Sequence, residues 1–399
     1  MTLLPRLPRL PILLTGYLAT EMLAPFFAAF LIINSVFFLV RLIPFLNVVV
    51  ELGIDSADFI RLTSYLLPNM FLYSMPMAVM LGVIIAFARL TADSEILALK
   101  AGGVSLAHTL PPLIMVCLAI SLLTAYCSMT LIPAGEIAMK QLMLQLVRDK
   151  INQGMHEKQF TDSLGDLVIH VEKIDPQSGE WQQVWVSDRR DQDQPSITMA
   201  ETGSMSINET TMQVSLTLNH GSLHRPEGNT SQIISFERYQ VNIPVHLPIS
   251  TDGDDLSQIS AWTMSMDQLQ QSASQLGRDT REGRNRLIHY HRRLALPAGC
   301  FVLGLLGLPL GLQSGPGRKV GGIPLGLAAF ISYYILFTVG KNLAESSSLP
   351  VWLLLWLPNL ILLSFTIYCI RRVISEHPLF PRRVRQIFSP LNSKGLGKY

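Results

Sequence analysis

The run Leu110-Pro111-Pro112-Leu113-Ile114-Met115-Val116-Cys117-Leu118-Ala119-Ile120-Ser121-Leu122-Leu123-Thr124-Ala125-Tyr126-Cys127-Ser128-Met129-Thr130-Leu131-Ile132 contains no charged side chain. A helix of about 20 apolar residues crosses the hydrocarbon core of a bilayer, so this run reads as a membrane span. Five further stretches read the same way. With this one, the set is approximately 22–46, 65–90, 106–133, 294–312, 321–344 and 349–370. Prolines fall inside several of them, among them Pro68, Pro76, Pro309 and Pro358. Membrane helices tolerate proline where neighbours re-satisfy the backbone. Glycine is dense in the fourth and fifth spans (Gly299, Gly304, Gly307, Gly311, Gly322, Gly326), where it permits close helix approach.

Charge is distributed accordingly. Only 15% of the 399 residues are charged and 49% are hydrophobic, against about 25% charged in a soluble domain. The deficit lies in 1–134 and 294–370, whereas 135–293 has ordinary polarity. Two apolar blocks therefore flank one aqueous domain. The N-terminal arginines Arg6 and Arg9 precede an apolar run too long for a signal peptide, without an A-x-A-like cleavage site. The run reads as a retained first span. A net charge of +2 gives no argument for nucleic acid.

The polar middle carries a different period. Leu167-Val168-Ile169-His170-Val171, Val184-Trp185-Val186, Met205-Ser206-Ile207, Met212-Gln213-Val214-Ser215-Leu216-Thr217-Leu218 and Ile233-Ile234-Ser235-Phe236 alternate every second residue. Turn signals separate them: Asp175-Pro176-Gln177-Ser178-Gly179, Ile207-Asn208-Glu209 and Pro226-Glu227-Gly228-Asn229. The expected fold is an α-helical membrane protein with six transmembrane helices plus an inserted extracytoplasmic all-β, jelly-roll-like domain. Its expected divisions are 1–134 (spans one to three, with a short helix near 91–103), 135–265 (the β domain and its connector), 266–293 (a connecting helix), 294–372 (spans four to six) and 373–399 (a basic tail). Segments 212–218 and 233–241 are expected to offer an open strand edge to a partner chain.

Lys and Arg in the short loops orient such a bundle. Arg6 and Arg9, Arg89 and Lys100, Arg318 and Lys319, and Arg371, Arg372, Arg382, Arg383 and Arg385 all fall on one side if three spans precede the domain and three follow it. That side is expected to be cytoplasmic, with both termini there and the β domain outside.

Enzymatic signatures are missing. There is no G-x-x-x-x-G-K-[ST]; Gly315-Pro316-Gly317-Arg318-Lys319 lacks its spacing and hydroxyl. His289-Tyr290-His291 lacks the glutamate and spacing of a zinc helix. Cys117, Cys127, Cys300 and Cys369 all lie in apolar runs and read as small buried hydrophobes, with no disulfide framework and no thiolate metal site. His170, His220 and His224 read as polar strand or turn residues. No cofactor and no metal is expected in this chain.

Two groups of residues carry functional expectations. The first is basic. Arg278, Arg281, Arg284, Arg286, His289, His291, Arg292 and Arg293 crowd the connector before span four. Helical spacing puts Arg278, Arg281, His289 and Arg292 on one face. Such a cluster is either a solvated, snorkelling helix face or a site for an anionic headgroup. Arg41 follows Val36-Phe37-Phe38-Leu39-Val40 at the outer end of span one. An arginine there either snorkels or pairs with an anion. The second group is Asp93-Ser94-Glu95-Ile96-Leu97-Ala98-Leu99-Lys100-Ala101-Gly102-Gly103, between spans two and three. Asp93 is expected to cap a short helix and the glycines to end it. The helix is either a plain interfacial loop or a grip for a partner.

The stretch from Asp93-Ser94-Glu95 through Gly102-Gly103-Val104-Ser105 resembles the signature of the LptF/LptG (YjgP/YjgQ) permease family. Tyr17-Leu18-Ala19-Thr20-Glu21-Met22-Leu23 is similar to its opening motif, more in the LptF form. Arg292-Arg293-Leu294-Ala295-Leu296-Pro297, Pro309-Leu310-Gly311, Gly317-Arg318, Tyr333-Tyr334 and Trp356-Leu357-Pro358-Asn359 resemble its C-terminal half. The resemblance covers most of 12–372, weakly in the β domain. The polar insert near 188–196 and the basic tail 382–398 depart from it. It implies a permease subunit of an ABC transporter that extracts lipopolysaccharide from the inner membrane. The implied partners are a second six-helix permease, a cytoplasmic LptB-like ATPase dimer that binds the ATP, a bitopic LptC-like subunit and a periplasmic LptA-like bridge. A basic residue at about the distance of Arg41 from the opening tyrosine also belongs to that family, which favours the anion reading. On this reading Arg41, Arg292 and Arg293 meet substrate, while Asp93, Ser94, Glu95, Ile96 and Leu99 couple to the ATPase: Ile96 and Leu99, on one shared side, are expected to enter an apolar groove of the motor, and Glu95 to pair with a basic residue at its rim. The rival readings are a mechanotransmission permease for another lipid or a lipoprotein, with four spans and its domain after the first, and a membrane-anchored periplasmic receptor. A secondary transporter is disfavoured because the spans lack paired carboxylates.

Overall fold

The computed structural model describes residues 12–52, 54–154, 160–164, 167–174, 181–188, 196–208, 213–227, 230–243, 261–313, 322–347 and 349–375. Arg6 and Arg9, the turn at 175–179, most of the insert near 188–196, the loop 315–319 and the basic tail lie outside them. Helices α1 (Ile12–Leu52), α2 (Ser56–Ala92), α3 (Glu95–Ala101), α4 (Leu110–Tyr126) and α5 (Ile132–Gly154) lead into strands β1 (Phe160–Leu164), β2 (Leu167–Ile174), β3 (Trp181–Asp188), β4 (Ser196–Asn208), β5 (Gln213–Glu227) and β6 (Thr230–Ile243). Helices α6 (Met266–Gln275), α7 (Arg281–Gly311), α8 (Gly322–Ser346) and α9 (Val351–Ile374) follow. Among the described residues six helical stretches are long and apolar enough to cross a membrane: Leu13–Ile43, Ser56–Ala92, Leu106–Leu146, Arg281–Gly311, Gly322–Ser346 and Val351–Ile374. Three precede the sheet and three follow it, as expected.

The chain forms two compact units, one of Met1–Leu39, Leu67–Pro133 and Ser265–Tyr399, the other of Val40–Leu66 and Ala134–Met264. In the first, the glycines of α7 explain the packing. A Cβ on Gly304 would lie 2.6 Å from Cys117 Sγ, one on Gly307 2.8 Å from Val83 Cβ and 2.9 Å from the Met80 carbonyl, and one on Gly311 2.8 Å from the Ile84 carbonyl. Gly307 and Gly311 thus form a flat strip against which α2 lies, with α4 reached at Gly304. Gly82 of α2 repeats the device against Phe26 of α1. Lipid supplies no hydrophobic drive between helices, so close approach through small residues and a few polar bonds holds them. The bonds include Ser121 Oγ donating to the Pro297 carbonyl (2.7 Å), Asn359 Nδ2 to the Ala295 carbonyl (2.9 Å) and Ser74 Oγ to Asn34 Oδ1 (3.2 Å).

The expected single connecting helix at 266–293 is instead two helices. The chain breaks at Gly277 (φ 87), and Thr280 restarts it by accepting the Gly283 N–H at 3.1 Å. Gly283 then packs on the Gly277 carbonyl, where a Cβ has no room. From Arg281 the helix runs unbroken into span four. Arg278 therefore lies in the break and shares no helix face with His289 and Arg292.

In the second unit the described strands form one antiparallel sheet in the order β1-β2-β3-β4-β5-β6. The inserted domain is all-β, as expected, and its connectivity is a sequential meander. Its inner residues are Ile169, Val171 and then Ile174 in β2; Val186, Val184 and then Trp181 in β3; Ala200 and then Gly203 in β4; Gly221 and then Leu218 and Leu216 in β5; and Phe236, then Tyr239 and Val241 in β6. A strand that alternates strictly cannot bury both Val184 and Trp181. In each of these five strands the alternation skips one residue, and always at the same lateral row: Lys173 faces Gln182, Gln182 faces Thr202, Thr202 faces Asn219 and Asn219 faces Arg238. Beside that row Gln183 and His220 adopt positive φ (51 in both), a conformation uncommon outside glycine. The sheet is creased across five strands, and its apolar face continues on both sides of the crease. Gly221 sits there because a Cβ would strike the Met199 carbonyl and the Phe236 ring.

One interhelical contact is directly testable. Gly307→Ala should lower thermal stability in detergent by about 1–3 kcal/mol, since the neighbouring Val83 and Met80 must be displaced. Gly16→Ala, with nothing within 4 Å of its Cβ, should leave the melting temperature unchanged in the same scan.

Candidate functional site

The short helix α3 is built by its ends. Its N-cap residue is Ser94, in the left-handed conformation (φ 62) and without a side-chain cap bond. Asp93 does not cap it; its carboxylate lies 3.6 Å from Arg89 Nε instead. The far end is a Schellman turn. Val104 N–H donates to the Leu99 carbonyl (2.9 Å) and Gly103 N–H to the Lys100 carbonyl (3.0 Å), with Gly103 at φ 82. Ile96 and Leu99 share a side, but that side rests on this chain's own core with Leu18, Met22 and Leu90 rather than being offered to a partner's groove. Leu97 is the exposed apolar residue, at 67%. Glu95 stands in the first turn, and its Oε2 accepts the Tyr17 hydroxyl at 2.7 Å. Arg89 Nη1 approaches Glu21 Oε2 at 3.4 Å. Neither Tyr17 nor Glu21 is recognisable from spacing as a partner of α3, because they sit on a helix remote in sequence.

The basic residues of α7 divide by role. Arg284, buried, donates from Nε and Nη2 to the Ala344 carbonyl (2.9 and 2.6 Å) and from Nη2 to the Leu349 carbonyl (2.8 Å). It satisfies the carbonyls that the end of α8 leaves open and is a structural group. Further along, Arg292 bonds the Tyr73 hydroxyl and lies over that ring, with 5.9 Å from Cζ to the centroid. Tyr73 in turn meets Tyr334 at 5.8 Å between centroids. Arg293 and His289 are buried beside it, with Lys341 and Arg286 in electrostatic reach of His289. The positive charge is thus concentrated at 286–293 on α7, while Lys341 on α8 is paired with Glu345 (3.5 Å) and Arg278 and Arg281 are exposed. Arg41 belongs to the second unit, where it is an electrostatic neighbour of Glu136, as Lys140 also is.

On the β domain, a cavity of about 520 Å³ opens on the outward face beside the crease, lined by His170, Glu172, Trp185, Met199, Glu201 and His220 among others. None of the residues predicted to bind substrate lies there. Among the described residues no group of His, Cys, Asp or Glu has the arrangement of a metal site, and the four cysteines are free and buried.

Three spans, an all-β insertion and three more spans, with a short helix between the second and third, define a polytopic membrane protein with an inserted β domain. A four-span permease with its domain after the first span has a different order. The chain belongs to the lipopolysaccharide export system permease LptF/LptG family, whose profile matches residues 16–372. It is 25% identical over 386 residues to the lipopolysaccharide export system permease protein LptF of Escherichia coli (strain K12), covering 94% of this chain and 97% of that protein. The protein of the same description from Shigella flexneri matches to the same extent. An uncharacterized protein of Rickettsia prowazekii is 25% identical over 39% of this chain and 43% of its own length. The chain is accordingly a multi-pass inner-membrane protein and a transport subunit of lipopolysaccharide export.

Proposed function

We propose that this chain is the F-type half of a two-permease core that extracts lipopolysaccharide from the inner membrane and passes it to a periplasmic bridge. The observation that carries the reading is the family match across the whole succession of spans, domain and spans. The opening Tyr17…Glu21 motif and the relatives named above support the F type. The bias of Lys and Arg to one set of loops supports cytoplasmic termini and a periplasmic β domain. A second six-helix permease would cover apolar faces that this chain leaves open, such as Phe27 (60% exposed) and Leu31 (70%) on α1. ATP would be bound by a cytoplasmic ATPase dimer. A bitopic subunit and a soluble bridge, each with a jelly-roll domain, would receive the lipid.

The substrate is a polyanion with acyl chains. Arg292, bonded to the Tyr73 hydroxyl, and Arg41 are the guanidinium groups we assign to its phosphates, since a planar fork suits bidentate contact. Arg293 lies deeper and is assigned to the same positive field. For coupling, Asp93, Ser94 and Glu95 give α3 its polar, motor-facing start. Ile96 and Leu99 anchor α3 to the bundle, and Leu97 is the residue free to enter an apolar groove of the ATPase.

Reconstitution with the partner subunits tests these assignments. Arg41→Ala and Arg292→Ala should each reduce lipid release to a periplasmic acceptor about tenfold, the effect of losing one charge-assisted contact, with normal membrane abundance. Release at wild-type level would leave snorkelling as the role of Arg41. Glu95→Arg should lose ATPase association or lipid-coupled hydrolysis while the spans still insert, and Glu95→Gln should be milder. Retention of both properties by the arginine variant would remove Glu95 from coupling.

Strand addition is the means proposed for transfer. Strand β5 is paired on both sides, by β4 and β6, so the expectation of an open edge at 212–218 gives way to β6 alone of the two. Photo-crosslinkers placed along 233–241 should capture a periplasmic partner, and crosslinkers at 214–218 should not. The absence of any adduct from β6 would count against this route.

A further inference from the structure

Helix α3 is joined by chain to α2 before it and to α4 after it. A push on α3 reaches those two spans through covalent connections. Span one has no such connection, yet one polar contact joins it to α3 and a second joins it to the last turn of α2, where the chain turns into α3. Tyr17 and Glu21 lie one helical turn apart on α1 and present their side chains in succession along one face. The Tyr17 hydroxyl donates to Glu95 Oε2 at 2.7 Å across 78 residues of sequence. Glu21 Oε2 lies 3.4 Å from Arg89 Nη1, and the same guanidinium lies 3.6 Å from Asp93 Oδ2 through Nε. Arg89 thereby links α1, the last turn of α2 and the residue that opens the turn into α3. Beneath this polar layer, Leu18 and Met22 of α1 share one apolar cluster with Leu90 and Ile96. The turn itself is fixed by Ser94 in the left-handed conformation.

We propose that Tyr17 and Glu21 are positioning residues that latch span one to the short helix, so that displacement of α3 is transmitted to α1 as well as to α2 and α4. The inference rests on the transport reading above, because it presumes a motor that moves α3. Chemistry suits a latch better than a fixed joint. Exposed ion pairs are individually weak and screened by salt, so they can release and re-form within a cycle. Glu95 then serves the bundle through one carboxylate oxygen, and the motor reaches α3 through the outward side that carries Leu97.

The test uses Tyr17→Phe, which removes one hydroxyl, Glu21→Gln, which removes one charge, and the double variant, each in the full chain co-expressed with its partners. ATPase content and basal hydrolysis should match wild type. Lipid released per ATP should fall about three- to fivefold in the double variant, the scale of a lost exposed contact. Glu21→Asp should restore at least half of that loss. In the chain alone, amide exchange across 95–101 should quicken in the double variant by a similar factor. Wild-type release per ATP, or unchanged exchange in α3, would overturn the latch. If the wild-type chain brings down no ATPase, the transport reading fails, and the exchange measurement still decides whether the latch exists.

Discussion

The first unit depends on one close approach, that of α7 to α2 at Gly307 and Gly311. Inside a bilayer the usual gain from burying apolar surface is absent, because lipid is as apolar as leucine. What remains is contact at short range, which a Cβ at Gly307 or Gly311 would prevent. The basic segment 286–293 occupies the same helix, a few turns before these glycines, so the placement of its guanidinium groups is inherited from the helix contact. Arg284 adds a second fixed point by closing the end of α8. A site of arginines in a membrane protein needs such a rigid mount, since each long side chain would otherwise turn toward the interface.

Much of this was legible in the sequence. Long apolar runs nearly free of charge gave six spans, and period-two alternation gave an inserted β domain between the third and fourth. Spacing also identified the short helix and its glycine stop. What was not legible has physical causes. The connector 266–293 has helical composition throughout, and its break follows from the backbone sign at Gly277 and the close packing of Gly283. The roles of Arg284 and Arg292 are set by partners on α8 and α2, which no local pattern reveals. Tyr17 and Glu21 are part of a recognisable motif, but their bonds, to Glu95 of α3 and to Arg89 at the end of α2, arise only when distant helices pack.

The crease of the β domain is an intermediate case. Each of five strands carries two adjacent polar residues where alternation demands one: Glu172-Lys173, Gln182-Gln183, Glu201-Thr202, Asn219-His220 and Glu237-Arg238. Read strand by strand, this is a lapse in a pattern. Read across the register, the lapses fall in line, and the apolar residues on either side (Val171 and Ile174, Val184 and Trp181, Phe236 and Tyr239) face one interior. Sequence shows the five polar pairs; only the strand pairing shows that they are one feature.

The strand order has a consequence for biogenesis. In a meander, every strand has as its partner the strand made just before it. Such a domain can then add strands in the order in which they are synthesised. No early strand must wait, unpaired, for a late one, as it must in folds whose sheets close with sequence-distant strands. The two longest strands, β5 and β6, arrive last and pair from Glu227 with Thr230 outward across a short connection. Assembly would thus finish by zipping a local hairpin, just before α6 and α7 return the chain to the bilayer.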